Sequence, residues 1–241
     1  MRLHLKCMHC FQEAGVPVPI SYRSDALESG ALEFTCGHGH KSFTIIQCRR
    51  HELLFELGIH AILDGYFREA ISAFASSLER FYEFYVRVIL HERGLKSDDY
   101  DEYWRTLKSQ SERQLGAFIS TYSLEEGAIP ALLPSKMTEL RNKVIHKGHI
   151  PSEDEVKKYG QAVLDIVCAC CVPLIDKHNE TIREMLVNDM AEISRRKPSE
   201  AQISTLGLPF LLRFENLCEN NTQKLTDWLH IAERVRHSMM V

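Results

Sequence analysis

One long amphipathic stripe in the middle of the chain constrains the fold more than any other feature. After Gly65, apolar side chains recur at spacings of three and four residues, which places them on one face of a helix. The stripe consists of Phe67, Ala70, Ile71, Phe74, Leu78, Phe81, Tyr85 and Ile89. It predicts a long helix with one buried face that ends near Gly94.

Further helices are predicted on both sides of this stripe. One begins near Arg49, and a more polar one covers about 98–122. Pro130 and Pro134 then break the chain, and a helix is expected from about Ser135 to Gly148.

The last part of the chain is also predicted to be helical. Ser152 and Glu155 form a capping box that opens a helix, in which Pro173 is expected to introduce a kink. The polar run Arg195–Pro198 marks a boundary. A helical extension is predicted over 194–241.

The first 48 residues have a different character. Glycines, prolines and short apolar runs alternate there, as in short strands and turns. The predicted fold class is therefore mostly α, with a helical bundle over 49–193 behind a small β-rich module over 1–48.

Four metal-ligating residue types lie in this module in two compact pairs. Cys7 and Cys10 form one pair, and Cys36 with His40 forms the other about 25 residues later. Zinc prefers four such ligands in a tetrahedron, and two pairs in turns can supply them. His38 is an alternative to His40. The spacing predicts a zinc-ribbon-like module whose Zn²⁺ is structural, because protein fills all four positions.

A redox pair is the competing interpretation of Cys7 and Cys10. Such a pair is typical of a strand-to-helix connection in a thioredoxin-like fold. The sequence around Cys7 does not indicate that connection, and this favours the metal site.

The segment Leu140-Arg141-Asn142-Lys143-Val144-Ile145-His146 is the most informative stretch for function. It has an arginine, a polar residue directly after it, and a histidine five residues after the arginine. Together with the long helix before it and the capped helix after it, this resembles the HEPN family over roughly Arg49 to Ile193. The resemblance implies a HEPN-like helical bundle with a ribonuclease motif.

Within this resemblance, three residues are the candidate catalytic set. Histidine side chains in general gain and lose protons near neutral pH, so a histidine at position 146 can transfer a proton, and Arg141 can hold a phosphate with its fixed fork of donors. Asn142, one helical turn before His146, can orient the imidazole or bind phosphate. The chemistry needs no metal. The implied products carry a 2′,3′-cyclic phosphate and a 5′-OH.

The resemblance also implies partners. In the family, two motifs face each other across a homodimer. A dimer would bring Arg141 of one chain close to His146 of the other, whereas the two residues of one chain lie about 140° apart on an ideal helix. RNA is the expected substrate. A toxin or anti-phage defence role is compatible with a neutralising or regulatory protein as a further partner. Regulation through a tyrosine two residues after the motif histidine, known in a subset of the family, is not supported, because Gly148 stands there.

Two other functions compete with the ribonuclease. A non-catalytic HEPN module would bind a nucleotide or a partner, but the presence of all three candidate catalytic residues argues against it. A zinc-dependent nucleic-acid-binding regulator would need a basic patch that the first 48 residues lack.

Net charge and hydropathy limit the classes of function and the cellular locations that the sequence supports. The net charge of −4 excludes a protein that coats nucleic acid through bulk charge, but not an enzyme that binds RNA locally. No secretory signal is recognisable, and the longest apolar run, 162–175, contains Asp165 and Pro173. A cytoplasmic protein without a membrane partner is expected.

Overall fold

The computed structural model describes residues 3–15, 19–22, 29–206 and 224–238. It is mostly helical with a small sheet formed largely by the N-terminal segment, which confirms the predicted fold class. The chain forms two compact units. One contains Met1–Cys48 and Arg183–Pro209, and the other contains Arg49–Ile182 and Phe210–Val241.

The first unit is built on short strands and one short helix. Strands β1 and β2 pair antiparallel, β3 and β4 form an antiparallel hairpin, and β5 pairs parallel to β4. The elements are β1 (Leu3–Lys6), α1 (Met8–Ala14), β2 (Pro19–Tyr22), β3 (Ala31–Thr35), β4 (Lys41–Ile46) and β5 (Gln202–Leu206). A core of buried side chains includes Leu5, Leu32 and Phe34 together with the three candidate cysteine ligands.

Strand β5 is a departure from the predicted helical extension over 194–241. Its side chains alternate between partly buried and exposed, as at the edge of a sheet. The hydroxyls of Thr44 and Ser204 lie 2.8 Å apart across the β4–β5 pair. The segment is a strand because β4 offers it a free edge, which local sequence does not reveal. The part of the predicted extension from 207 to 223 lies outside the described residues.

The second unit is a helical bundle. Its helices are α2 (Arg50–Leu63), α3 (Phe67–Glu92), α4 (Ser97–Leu107), α5 (Ser111–Glu126), α6 (Ser135–Lys147), the first part of α7 (Glu153–Arg195) and α8 (Leu225–Ser238). Helix α3 is the central one, and every residue of the predicted stripe after Phe67 is buried. The Phe74 ring lies so close to Gly58 and Gly160 that a Cβ at either position would come within 2.8 Å of it.

Helix α7 begins as predicted and breaks elsewhere. The Ser152 hydroxyl and the Glu155 carboxylate bond reciprocally to each other's backbone N–H, which confirms the capping box. The backbone is non-helical at His178 (φ −125°, ψ 25°) rather than at Pro173. Among the described residues, α7 is the helix that could cross a membrane by length and composition, but 56% of the apolar 18-residue stretch within it is buried inside the protein.

A group of ionisable side chains surrounds the break in α7. The buried His178 imidazole lies 3.1 Å from the Glu125 carboxylate and 3.6 Å from that of Glu92. The Arg93 guanidinium has the largest effect on the Glu125 carboxylate and lowers its pKa, and His178 lowers that pKa further. The ends of α3 and α5 thereby contact α7 through His178.

Candidate functional sites

The four predicted metal ligands come from two turns of the first unit. Cys7 directly precedes α1, and Cys10 lies in the first turn of that helix. Cys36 and His40 flank the β3–β4 turn, where the Cys36 N–H donates to the His40 carbonyl at 3.0 Å. Gly39 has a φ of 86° in this turn, a conformation that glycine adopts without strain.

Three of the distances between these ligands are close to those around a tetrahedral ion. Their donor atoms all lie within 4.8 Å of one another. The Cys10 and Cys36 sulfurs are 3.7 Å apart, and His40 Nδ1 is 3.8 Å from the Cys7 sulfur and 3.4 Å from that of Cys10. Tetrahedral zinc with bonds of about 2.3 Å to sulfur and 2.0 Å to nitrogen requires edges of roughly 3.5–3.8 Å. Cys7, Cys10, Cys36 and His40 can therefore hold a metal ion.

His38, the alternative fourth ligand, also approaches the site. Its Nδ1 atom is 3.2 Å from the Cys10 sulfur, but its side chain is exposed. His40 is more enclosed, since the His9 ring stacks on it at 4.7 Å and the Glu13 carboxylate lies 4.0 Å from its Nε2 atom. His40 thus completes the group of four, and a neighbouring carboxylate can orient its ring.

Burial and mutual repulsion give the thiols unequal acidities. Burial raises the pKa of Cys7, but hydrogen bonds from the Cys10 backbone and the Ser42 hydroxyl outweigh it and lower the pKa to about 6. Burial and the neighbouring Cys36 and Cys7 sulfurs raise the pKa of Cys10 to about 12. The Cys7 thiolate is thus stabilised, whereas deprotonation of Cys10 next to it is unfavourable. A bound divalent cation would offset the repulsion between the two thiolates.

One argument against a redox pair is corrected by the structure. Strand β1 ends at Lys6 and α1 begins at Met8, so a strand-to-helix connection does surround Cys7. The distinction from a redox pair lies elsewhere. The Cys7 sulfur also faces His40, and the Cys10 sulfur also faces Cys36 and His40, so the pair is half of a four-ligand cluster.

The predicted catalytic residues lie on α6 in the second unit. Leu140 and Val144 are buried on its inner face, and α6 packs against α3. Asn142 and His146 are exposed, and Arg141 is partly buried. The helix ends at Gly148, whose φ of 69° is the left-handed conformation typical of a glycine at a helix end.

Arg141 has a partner that the sequence did not reveal. Its Nη2 atom donates to Glu79 on α3 at 3.3 Å, and its Nη1 atom donates to the Asn142 side chain at 3.1 Å. Tyr159 on α7 is also close enough for the Arg141 charge to lower its pKa, against the stronger opposite effect of burial. Glu79 is 62 residues from Arg141, so only the packing of α3 against α6 brings them together.

His146 is not part of this group. In the described part of the chain, no hydrogen bond or ion pair involves His146, and helix geometry directs its side chain about 140° away from that of Arg141. A single chain therefore presents a hydrogen-bonded Arg141 guanidinium and an exposed His146 imidazole without bringing them together.

No protein-family model, no curated protein and no solved structure matches this chain.

Proposed function

We propose that this protein is a metal-independent endoribonuclease of the HEPN type. The observation that carries the proposal is the arrangement on α6, where a held Arg141 guanidinium and an exposed His146 imidazole occupy the two motif positions. The setting we propose is a toxin or anti-phage defence role, and the substrate is single-stranded or looped RNA, in which the reacting groups can align.

The reaction requires one bond to form and one to break. The 2′-oxygen bonds to phosphorus as it loses its proton, and the bond from phosphorus to the 5′-oxygen breaks as that oxygen gains a proton. His146 is suited to transfer one of these protons. Arg141 is suited to hold the phosphate oxygens, on which charge accumulates. Asn142 stands one turn before His146 and is expected to assist either residue.

The ion proposed for the four-ligand cluster is Zn²⁺, in a structural role. Three sulfurs and one imidazole nitrogen suit zinc, whose structural sites are tetrahedral. With four protein ligands, no position is left for a water or a substrate. The metal therefore stabilises the first unit and takes no part in cleavage.

We also propose that the active form is a homodimer. A twofold dimer would place Arg141 and Asn142 of one protomer opposite the partner's His146. The exposed Ile150 side chain, 79% accessible and four residues after His146, is an apolar group that such an interface would cover. Light scattering at micromolar concentration should give twice the chain mass. A monomer under those conditions would contradict the composite site.

Glu79 is expected to support Arg141 rather than to react. In Glu79→Gln the guanidinium loses a charged partner that restricts its orientation. Because both side chains are partly exposed, we expect only about a two- to tenfold loss of kcat/KM. Glu79→Asp should recover part of it. Glu69→Gln, also on α3, is the matched control. A wild-type rate in Glu79→Gln would show that the ion pair does not matter for cleavage.

The proposed activity is tested by the ends of the products. Single-stranded RNA incubated with the protein in EDTA should yield fragments with 2′,3′-cyclic phosphate and 5′-OH ends. Fragments with 5′-phosphate ends would indicate a different mechanism. RNA or nucleotide binding with no cleavage would favour a non-catalytic binding module instead.

A further inference from the structure

Three lysines follow one side of the helix that carries the motif. Lys136, Lys143 and Lys147 are all exposed on α6. At about 100° per residue, spacings of seven and four residues point them within about 40° of one another, and they span roughly 16 Å along the helix. His146 lies beside this row, between Lys143 and Lys147 in sequence.

No carboxylate neutralises any of these three lysines among the described residues. Four other lysines form ion pairs, namely Lys157–Glu153, Lys158–Asp154, Lys177–Glu126 and Lys41–Glu200, whereas Lys96, Lys108 and Lys224 form none among the described residues and stand apart from one another in the sequence. Across residues 3–15, 19–22, 29–206 and 224–238, no ion pair involves Lys136, Lys143 or Lys147. Glu139 stands four residues before Lys143, in the favourable orientation for a pair, yet the two form no ion pair.

Helix stability does not account for this arrangement. Lys136 lies in the first turn, where the helix dipole disfavours a cation and where α6 has no acidic residue. Lys143 and Lys147 are like charges one turn apart, which is also unfavourable. Only Lys147, in the last turn, benefits from the dipole. The three lysines thus contribute little to the stability of the helix itself.

We propose that Lys136, Lys143 and Lys147 form a track that binds the phosphate backbone of single-stranded RNA and leads it past His146. The inference rests on the proposed ribonuclease function and names the surface that holds its substrate. In a chain with a net charge of −4, affinity for a polyanion has to come from a local group of unpaired cations. A flexible single strand of RNA can align its phosphates with a straight row of lysines of this length more readily than a rigid surface can align its charges with it.

The test measures binding separately from cleavage. The probe is a fluorescent 2′-O-methyl oligoribonucleotide, which lacks the attacking hydroxyl, and its affinity is followed by anisotropy at several salt concentrations. The variant replaces Lys136, Lys143 and Lys147 by glutamine. The control replaces Lys96, Lys108 and Lys224, which are equally exposed, by glutamine, and so changes the net charge by the same amount.

Losing three phosphate contacts should reduce the slope of log K against log[salt] by about 2, and affinity should fall by up to about a hundredfold at 0.1 M salt. The control should keep the wild-type slope. Replacing the same three track residues by arginine should keep it too, and a wild-type circular dichroism spectrum shows that each variant is folded.

Several outcomes would overturn the track. These are no binding by the wild type, equal slopes for the track and control variants, or unchanged RNA binding while binding to anionic lipid vesicles is lost. If the track variant alone loses binding but the wild type does not cleave RNA in EDTA, the track stands and the proposed activity falls.

Discussion

Replacing His146 by alanine is expected to lower RNA cleavage by about a hundredfold to ten-thousandfold, the range typical of a lost general acid or base. The side chain is exposed and makes no hydrogen bond or ion pair within the described residues, so stability and metal content should not change. His230→Ala, which removes another exposed helical imidazole, is the matched control and should cleave at the wild-type rate.

Arg141 should show a comparable loss with a different pattern of rescue. Arg141→Ala removes the phosphate contact and leaves Glu79 without its cationic partner. Arg141→Lys should recover little, because a lysine cannot present two parallel donors to phosphate. Arg105→Ala, on the exposed side of α4, is the control for losing a guanidinium. Full activity in Arg141→Lys would show that a point charge is enough.

The composite site also predicts what happens when the Arg141→Ala and His146→Ala variants are mixed. If each site takes Arg141 from one protomer and His146 from the other, a mixed dimer of Arg141→Ala and His146→Ala chains contains one intact site. Mixing the two inactive proteins should then restore up to about a quarter of the wild-type activity, since half of the dimers are mixed and each has one of two sites. No recovery after confirmed subunit exchange would contradict the shared site.

The second large effect is expected at the metal cluster. The purified protein should contain about one zinc per chain, and Cys7→Ser combined with Cys10→Ser should reduce this to near zero. Because Cys7 and Cys10 are also buried in the core of the first unit, the folded yield should fall sharply. Elemental analysis of the undenatured protein measures the first effect, and soluble yield measures the second.

Other single changes separate the metal site from general cysteine loss. Cys168→Ser alters a partly buried thiol in α7 and should keep both metal and yield. His40→Ala should weaken zinc binding more than His38→Ala does, since His40 completes the group of four donors. An undenatured wild-type protein without any metal would refute the zinc assignment. Greater zinc loss in His38→Ala would make His38 the fourth ligand.

Local patterns in the sequence predicted local structure well. The spacing of Phe74, Phe81 and Tyr85 was sufficient to place them on the buried face of α3, because helix periodicity depends only on neighbouring residues. The Ser152 capping box followed from a short motif for the same reason. The gathering of the four metal ligands is not local, and it was predictable because two closely spaced ligand pairs together supply the four ligands that zinc prefers.

Features that depend on long-range packing were not predictable in this way. Strand β5 pairs with β4 across about 160 residues, and its five residues carry no signal for that partner. Glu79 contacts Arg141 only because α3 packs on α6. The break in α7 lies at His178, where two carboxylates from other helices meet the imidazole, and not at the proline that local rules favoured.

The most direct test of the central claim compares wild type and His146→Ala on the same single-stranded RNA in EDTA. The account predicts that the wild type releases 2′,3′-cyclic phosphate ends and that His146→Ala is at least about a hundredfold slower. Cleavage by His146→Ala at the wild-type rate, or loss of wild-type activity in EDTA with restoration by added metal, would contradict it.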